Sequence, residues 1–402
     1  MTLAMVLVVL PQSVPATADA AQGAAWEQLS GVPGPVTRLF APTSGALFAR
    51  VGASLYRTDD GGTAWRSVTL PALGDDGSSR QIFVDPGNHQ RVYATGADGL
   101  YRTVDDAASW QPIWKTDADF PALLGFTASP AAPDLVYLVV GDTFRHVMKM
   151  MRSEDGGQTW TTLEQNGHQF LACNWGVRLL QAHPTDPDRV FRSIECHHAV
   201  SSSLLQESRD RGQRWDVIAD TGGGRPESVQ DPRVKPVTTP APPPTGTIVP
   251  LSEKERPIGT AGLLVGGLGT MPTRFFLVVT RPDQGGGMSL LRTDDDGHVW
   301  NELLSYSGGG GATAADDTRP NVTVSDLTMD PQAPDHLFAA FHSQLKGQPA
   351  THAIRTSTDG GATWTDLAPP LAEPAFDLAL GIDGRNLYAA TATGVWRLAL
   401  GI

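Results

Sequence analysis

A short pattern that could do chemistry recurs along the chain. We call the pattern Ser/Thr-x-Asp-x-Gly-x-x-Trp the box, and its first copy lies in YRTDDGGTAW at residues 56–65. Carboxylate and hydroxyl oxygens beside a glycine turn could bind calcium, and an aromatic ring there could bind carbohydrate. The acids, glycines and tryptophans of the five full copies and of a sixth, which has Ala107 instead of glycine, are Asp60, Gly62, Trp65; Asp105, Trp110; Asp155, Gly157, Trp160; Asp210, Gly212, Trp215; Asp295, Gly297, Trp300; and Asp359, Gly361, Trp364.

A group copied six times favours architecture over a ligand site. The Asp carboxylate can accept hydrogen bonds from backbone N–H groups of a turn, and the hydroxyl can fix the end of a strand. Glycine permits a positive φ, and tryptophan packs as a large apolar wedge whose indole N–H needs an acceptor. We therefore interpret the box as a brace between two strands.

A second group of reactive side chains lies in NGHQFLACNWGVRLL and FRSIECHHAVSSS. Cys173 and Cys196 flank one predicted hairpin near His168, His197 and His198, a set that could bind zinc or copper. Adjacent histidines on a strand point to opposite faces, which weakens a metal site. We expect a disulfide between Cys173 and Cys196 instead, and we expect no metal and no cofactor.

The elements that must position these residues are short strands. Between the boxes a second repeat recurs as VDPGNHQRVYA, ASPAAPDLVYL, AHPTDPDRVFR and MDPQAPDHLFA, each a strand, a proline turn and a second strand. With the box they define a unit of four antiparallel strands, A to D, with the box between C and D. Such a unit, repeated, predicts the blades of a β-propeller.

Counting the units predicts a closed ring of seven. Six boxed units are followed by AFDLALGIDGRNLYAATATGVWRLAL, which supplies strands A, B and C of one more. The N-terminal AAWEQL provides a strand D, at Trp26 to Leu29, that has no preceding blade. We predict that it completes the last blade, so that the sheet edge there is covered.

These boxes resemble those of the Asp-box, or bacterial neuraminidase repeat, family of β-propellers, from Trp26 to the C-terminus. The resemblance implies an all-β seven-bladed propeller with the boxes on the outer rim, away from any active site. The family includes sialidases, xyloglucan hydrolases, sortilin-type receptors and photosystem II assembly factors. The resemblance therefore predicts the fold and leaves the function open.

A sialidase-like site would contain three arginines for the substrate carboxylate, a Tyr–Glu nucleophile and an Asp acid/base. Arg80 and Arg178 each lie six residues before a turn proline on strand A, and Arg38 lies four residues before Pro42. They form a candidate anion clamp. Of the six tyrosines, Tyr306 alone has no place in a repeat, and no Phe/Tyr-Arg-Ile-Pro segment precedes the first blade.

A xyloglucanase-type glycosidase would need two carboxylates facing a cleft. Glu195, Asp326 and Asp377 lie near predicted strand ends, but no spacing in the sequence pairs them. They are candidate carboxylates only.

Composition sets the class and compartment of the protein. A net charge of −13 over 402 residues argues against binding to nucleic acid or anionic lipid. Residues 1–20 have the apolar run and the Ala-Asp-Ala ending of a secretory signal, too short to span a membrane, although a basic N-terminal region is missing. Residues 21–402 are then a single propeller, with a Pro-rich insertion at 220–257 that is either a lid or partner-binding arm or an irregular surface loop.

We therefore predict a secreted or extracytoplasmic monomer that acts as a non-catalytic binding or scaffolding module. Its partner would be a protein or glycan on the face built by the D–A and B–C loops. The alternative is a glycoside hydrolase of sialidase-like or xyloglucanase-like type acting on extracellular glycans.

Overall fold

The computed structural model describes most of the predicted propeller. The described residues are 25–43, 46–72, 81–142, 147–166, 177–198, 200–220, 260–265, 274–281, 287–306, 321–330, 333–344, 349–381 and 383–400. They form seven four-stranded antiparallel sheets, which confirms the predicted all-β, seven-bladed architecture. None of these residues belongs to a helix long and apolar enough to cross a membrane.

The first three blades follow one another along the chain after the N-terminal strand β1 (Glu27–Leu29). Blade 1 contains β2 (Arg38–Thr43), β3 (Ala46–Val51), β4 (Ser54–Thr58) and β5 (Arg66–Val68). Blade 2 contains β6 (Ile82–Val84), β7 (Val92–Gly96), β8 (Gly99–Thr103) and β9 (Gln111–Lys115). Blade 3 contains β10 (Ala122–Ala128), β11 (Val136–Asp142), β12 (Val147–Ser153) and β13 (Thr161–Asn166).

The next three blades repeat this order, each running from the innermost strand A to the outermost strand D. Blade 4 contains β14 (Val177–Ala182), β15 (Val190–His198), β16 (Val200–Ser208) and β17 (Asp216–Asp220). Blade 5 contains β18 (Thr260–Val265), β19 (Phe275–Arg281), β20 (Gly287–Thr293) and β21 (Asn301–Tyr306). Blade 6 contains β22 (Asn321–Met329), β23 (Leu337–Gln344), β24 (Thr351–Ser357) and β25 (Thr365–Asp366).

Blade 7 joins the two ends of the chain. Its strands are β26 (Asp377–Leu380), β27 (Asn386–Ala390), β28 (Val395–Ala399) and β1. Strand β1 pairs antiparallel with β28, with Glu27 opposite Arg397 and Leu29 opposite Val395. The predicted closure is confirmed, although the strand begins at Glu27 rather than Trp26.

The hydrophobic core lies between the blades. One cluster joins Tyr93 and Leu100 of blade 2 to Phe126 and Leu138 of blade 3, all of them buried. Such packing follows from the alternation of side chains along each strand, which gives every sheet two faces and presses each face against a neighbouring blade.

Each described box fixes the corner between strands C and D. In blade 3 the Ser153 hydroxyl donates to Asp155 Oδ1 at 2.7 Å and accepts from Gly157 N at 2.7 Å. Asp155 Oδ1 also accepts from Thr159 N, and Asp155 Oδ2 accepts from the Thr159 hydroxyl. Donors of the chain itself therefore occupy both carboxylate oxygens of Asp155. The other five boxes have the same hydroxyl-to-carboxylate bond, at Thr58–Asp60, Thr103–Asp105, Ser208–Asp210, Thr293–Asp295 and Ser357–Asp359.

Arginines on strand C join successive boxes. Arg152 Nη1 donates to the carbonyl of Arg211, which directly precedes Gly212 in the next box, at 2.8 Å. Arg102, Arg292 and Arg397 bond the matching carbonyls of Gly156, Gly360 and Gly61. These contacts lie on the face of the propeller that carries the boxes, because the C–D and A–B turns share that side.

Candidate functional site at the axial mouth

The opposite face carries a cluster of charged side chains where the A strands of blades 6, 7 and 1 meet. We call this cluster the axial mouth and define it by Arg38, Arg50, Asp326, Phe376 and Asp377. Strand β26 packs against both β22 and β2, which brings three separate parts of the sequence together.

Two of the candidate carboxylates meet here. Asp377 Oδ2 accepts from Leu39 N of blade 1 at 2.7 Å, and Asp326 Oδ2 accepts from Leu378 N of blade 7 at 2.8 Å. Each Asp thus holds the inner strand of the next blade. Asp377 also lies within the electrostatic range of Asp326, so the structure pairs two residues that the sequence could not pair.

The same contact exists in blade 2 without a carboxylate. Gln81 precedes β6, four residues before the turn residue Asp85, and its Oε1 accepts from Phe126 N of blade 3 at 3.0 Å. Asp326 and Asp377 lie four residues before the matching turn residues, Asp330 and Gly381. In blades 2, 6 and 7 this position of strand A therefore provides an acceptor for the next blade, whether the side chain is an amide or an acid.

Burial controls the ionisation of the Asp pair. Asp377 is 4% exposed, and burial, followed by the charge of Asp326, raises its pKa to about 7 against the opposing effect of Arg38. Burial also raises the pKa of Asp326. Two neighbouring carboxylates away from water favour a state in which they share a proton.

Arg38 approaches this pair, and Arg50 lies beside Arg38 on the neighbouring strand. Arg38 Nη1 lies 3.4 Å from Asp377 Oδ1, and the Arg38 side chain is 59% exposed. Arg50 lies directly opposite Arg38 in the β2–β3 pairing, and its guanidinium donates to the carbonyl of Gly52. Burial and the charge of Arg38 lower the pKa of Arg50.

A serine and a histidine lie beside the mouth, in an arrangement that could suggest a nucleophile. His342 Nε2 is 3.0 Å from the Ser325 hydroxyl and 3.0 Å from the carbonyl oxygen of Ala375. Because a carbonyl only accepts, this distance assigns the hydrogen to Nε2. With Nε2 already protonated, His342 cannot act through that atom as a base toward Ser325.

The remaining candidates divide between the described residues and those beyond them. Arg80 and Cys173 lie outside the described residues, as do residues 1–20 and all but the first residue of the 220–257 insertion. The backbone of Arg178 lies in a bulge of β14 between Val177 and Leu179. On β15, the backbones of Glu195 and Cys196 pair with those of Ser203 and Ser202. The side chains of Arg178, Glu195 and Cys196 are not among those that the structure describes. The anion clamp and the disulfide stay predictions.

Strand register places Arg38 opposite another arginine. Arg38 pairs with Arg50, and the matching A-strand positions of blades 2 and 4 are Gln81 and Leu179, which face Thr95 and Ser193. Sequence reasoning missed Arg50 and Phe376. The hairpin RLFAPTSGALFAR could have revealed Arg50, because counting outward from its turn places the two terminal arginines opposite each other.

The fold and this geometry define a seven-bladed β-propeller with charged side chains on its innermost strands. The profile of the Sortilin-Vps10 family (sortilin, neurotensin receptor 3) matches residues 53–222. A xyloglucanase from a Paenibacillus species is 30% identical over 28% of this chain and 13% of that protein. With the fold, these matches support a β-propeller of the sortilin- and sialidase-like superfamily.

Solved structures share the fold at low sequence identity. The GH74 xyloglucanase from Xanthomonas campestris has a TM-score of 0.60 and 17% identity, over 94% of this chain and 54% of that one. An oligogalacturonate lyase in complex with manganese has a TM-score of 0.55 and 11% identity, over 94% of each chain. This chain therefore spans about half of the xyloglucanase structure and a small part of the Paenibacillus relative.

Proposed function

We propose that this protein is an exported, non-catalytic binding or scaffolding module. The observation that carries the proposal is the equivalence of Gln81 with Asp326 and Asp377. All three side chains accept a backbone N–H from the inner strand of the next blade. Since an amide neither gives nor takes a proton in this role, holding adjacent blades together accounts for the position in all three blades.

The binding face is the one formed by the D–A and B–C loops. The opposite face is engaged by the boxes and the strand C arginines. At the axial mouth, by contrast, the Arg38 side chain is exposed and Phe376 is 41% exposed. Exposed aromatic side chains and arginines are both enriched on ligand and partner surfaces. Export is supported by the signal-like residues 1–20.

The second candidate function is glycoside hydrolysis. It is favoured by the raised pKa of Asp377, about 7, beside a second carboxyl group, because glycosidases need one protonated acid and one ionised carboxylate. The partial identity to a xyloglucanase names xyloglucan as the first substrate to test.

The deciding experiment measures turnover of xyloglucan oligosaccharides and of a fluorogenic sialoside by the purified protein. Asp377→Asn and Asp326→Asn are the test variants, because an asparagine Oδ1 can still accept from Leu39 N or Leu378 N and preserve the fold. Asp98→Asn, on a B–C turn of the same face, is the matched control. We expect no turnover by any of these proteins, together with binding to at least one glycan or protein partner. Turnover that Asp377→Asn abolishes and Asp98→Asn retains would establish the hydrolase instead.

A further inference from the structure

Two histidines lie directly opposite each other on blade 6. His342 of β23 pairs with His352 of β24, and only the pair Ser343–Thr351 lies between them and the end of the described ladder at the B–C turn. Residues directly opposite in an antiparallel sheet point to the same face, with Cβ atoms about 4.5–5.5 Å apart. The two imidazoles are therefore neighbours. The sequence spacing of the two residues does not by itself predict a metal site, and strand register brings them together.

The histidine pair lies where the contact between blades 6 and 7 reaches solvent. Phe338 and Ala340 of β23 and Ile354 of β24 occupy the same face of the blade and belong to the apolar cluster packed against blade 7. His342 and His352 continue this face toward the B–C turn, and both side chains are partly exposed. An ion can therefore reach the imidazoles from solvent, on the face of the propeller that carries the B–C and D–A loops.

The tautomer of His342 leaves one ring nitrogen available. Its Nε2 lies 3.0 Å from the carbonyl oxygen of Ala375, so the hydrogen is on Nε2 and the lone pair is on Nδ1. The Ser325 hydroxyl donates to the same carbonyl at 2.9 Å, so its hydrogen does not require a lone pair on Nε2. Histidines that bind metals usually donate their other ring N–H to a backbone carbonyl or a carboxylate, which fixes the tautomer and orients the ring. His342 has this arrangement.

A structural histidine in the same protein looks different. His183 is buried, and its Nδ1 accepts from the backbone N–H groups of Thr185 and Asp186. Within the described residues, by contrast, no hydrogen bond or ion pair involves Nδ1 of His342 or either ring nitrogen of His352. The pair therefore presents imidazole lone pairs that the described fold does not use.

We propose that His342 and His352 form a binding site for a divalent transition-metal ion such as Zn²⁺ or Cu²⁺. Imidazole nitrogens suit these ions, whereas Mg²⁺ and Ca²⁺ prefer oxygen ligands. Among the residues that the structure describes, no third histidine, cysteine or carboxylate completes a cluster there, so water or a donor of a bound partner fills the remaining coordination positions. The site departs from the sequence-based expectation of no metal. It goes beyond the proposed binding function and does not depend on it.

The test is titration calorimetry of the purified protein, without a histidine tag, with Zn²⁺ and separately with Mg²⁺. We expect Zn²⁺ to bind and Mg²⁺ not to bind at this site. His342→Gln and His352→Gln should each weaken Zn²⁺ binding by at least about tenfold, since loss of even an outer contact of a metal ligand costs that much. His352→Gln should keep the urea midpoint of the wild type, because no described hydrogen bond involves His352.

The matched control is His298→Gln. His298 is a single exposed histidine in a box on the opposite face, and its substitution should leave the affinity for Zn²⁺ unchanged. Any metal bound by the candidate histidines of blade 4 is the same in the wild type and in the His342 and His352 variants. The difference between these titrations therefore isolates the pair.

Several outcomes would overturn the inference. These are a wild type that binds no Zn²⁺, an affinity that His352→Gln leaves unchanged, and an equal loss in His298→Gln. Loss of binding in His342→Gln alone, together with a lower urea midpoint, would assign His342 a structural role and also overturn the pair. The titration uses no protein or glycan partner, so its failure leaves the proposed function standing, and failure to bind any partner leaves the metal site standing.

Discussion

Asp377 accepts a hydrogen bond from the backbone N–H of Leu39 across a sequence separation of 338 residues. The bond joins the inner strand of the last blade to that of the first, while β1 joins the outer strands of blade 7. Closure of the ring thus has an outer, strand-pairing component and an inner, side-chain component. The inner component depends on a carboxyl group with a perturbed pKa.

This arrangement predicts that stability falls as pH rises toward neutrality. The pKa of Asp377 is about 7 in the folded protein and near 3.8 in the unfolded chain, so the folded state binds more protons between these values. Its contribution is complete below about pH 4 and is lost as pH approaches 7, with a slope of up to about 1.4 kcal/mol per unit. Urea unfolding between these values measures it.

Asp377→Asn is the control for that slope, because it removes the titration and keeps an acceptor for Leu39 N. The difference in unfolding free energy between variant and wild type should shift in favour of the variant as pH rises. Parallel pH profiles for the two proteins would contradict the assignment.

The seven-bladed closure could be predicted from the sequence, whereas the residues that meet at the axial mouth could not. Six boxes and one unpaired Trp-led segment at Trp26 were enough to predict seven blades and their closure, because each repeat specifies local strands and a turn. The Asp326–Asp377 pair depends instead on how blades 6 and 7 dock, and no local pattern contains that information. Counting from turn prolines also fails where bulges interrupt the register, as they do beside Leu179 and Asp326.

The box hydroxyl should contribute measurably to stability. Ser153 is buried, and its Oγ accepts from the buried N–H of Gly157. Ser153→Ala leaves this donor without its partner, so we expect a loss of about 1–3 kcal/mol in urea unfolding. Ser153→Thr should stay near wild type because three other boxes use threonine. Thr162→Ala, at an exposed position on β13, is the neutral control, and an equal loss there would contradict the role of the hydroxyl.

The sixth box contains a correctable strain. Ala107 has φ of 64° where the full boxes have glycine, as at Gly157 with φ of 94°. We expect Ala107→Gly to stabilise the protein by roughly 1 kcal/mol in thermal or urea unfolding, because glycine adopts this conformation without steric cost. An unchanged or lower unfolding midpoint would show that the alanine is not strained.

The reverse change should be costly in a full box. A Cβ added to Gly157 would lie 2.5 Å from Ile113 Cβ, whereas one added to Gly52, with φ of 55°, meets nothing within 4 Å. Gly157→Ala therefore combines backbone strain with overpacking and should cost about 2–5 kcal/mol, while Gly52→Ala should cost about 1 kcal/mol. Similar losses for both would exclude the steric contribution.

Each strand C arginine should contribute more to the free energy of unfolding than a surface ion pair does, because it bridges two adjacent blades. Arg152 is largely buried and bonds the Arg211 carbonyl of the next blade at 2.8 Å. Arg152→Met keeps the apolar stem and removes this bond, so we expect a loss of about 1–3 kcal/mol in urea unfolding. Arg214→Met is the matched control, because Arg214 is 82% exposed and pairs only with Asp210 within its own box among the contacts described. That change should stay within about 0.5 kcal/mol, as isolated surface pairs do.

In blade 4 a different arginine makes the bridge to the next blade. Glu207 takes the position that arginine has in blades 2, 3 and 5. Arg189, which directly precedes strand B, pairs with Glu207 and reaches Asp296 of the next box at 2.7 Å. In blade 4 the acid therefore lies on strand C and the arginine comes from just before strand B, yet a guanidinium still bridges the two blades. If Arg152→Met lowers the free energy of unfolding no more than Arg214→Met does, apolar packing between the blades, rather than these arginine bridges, stabilises their contacts.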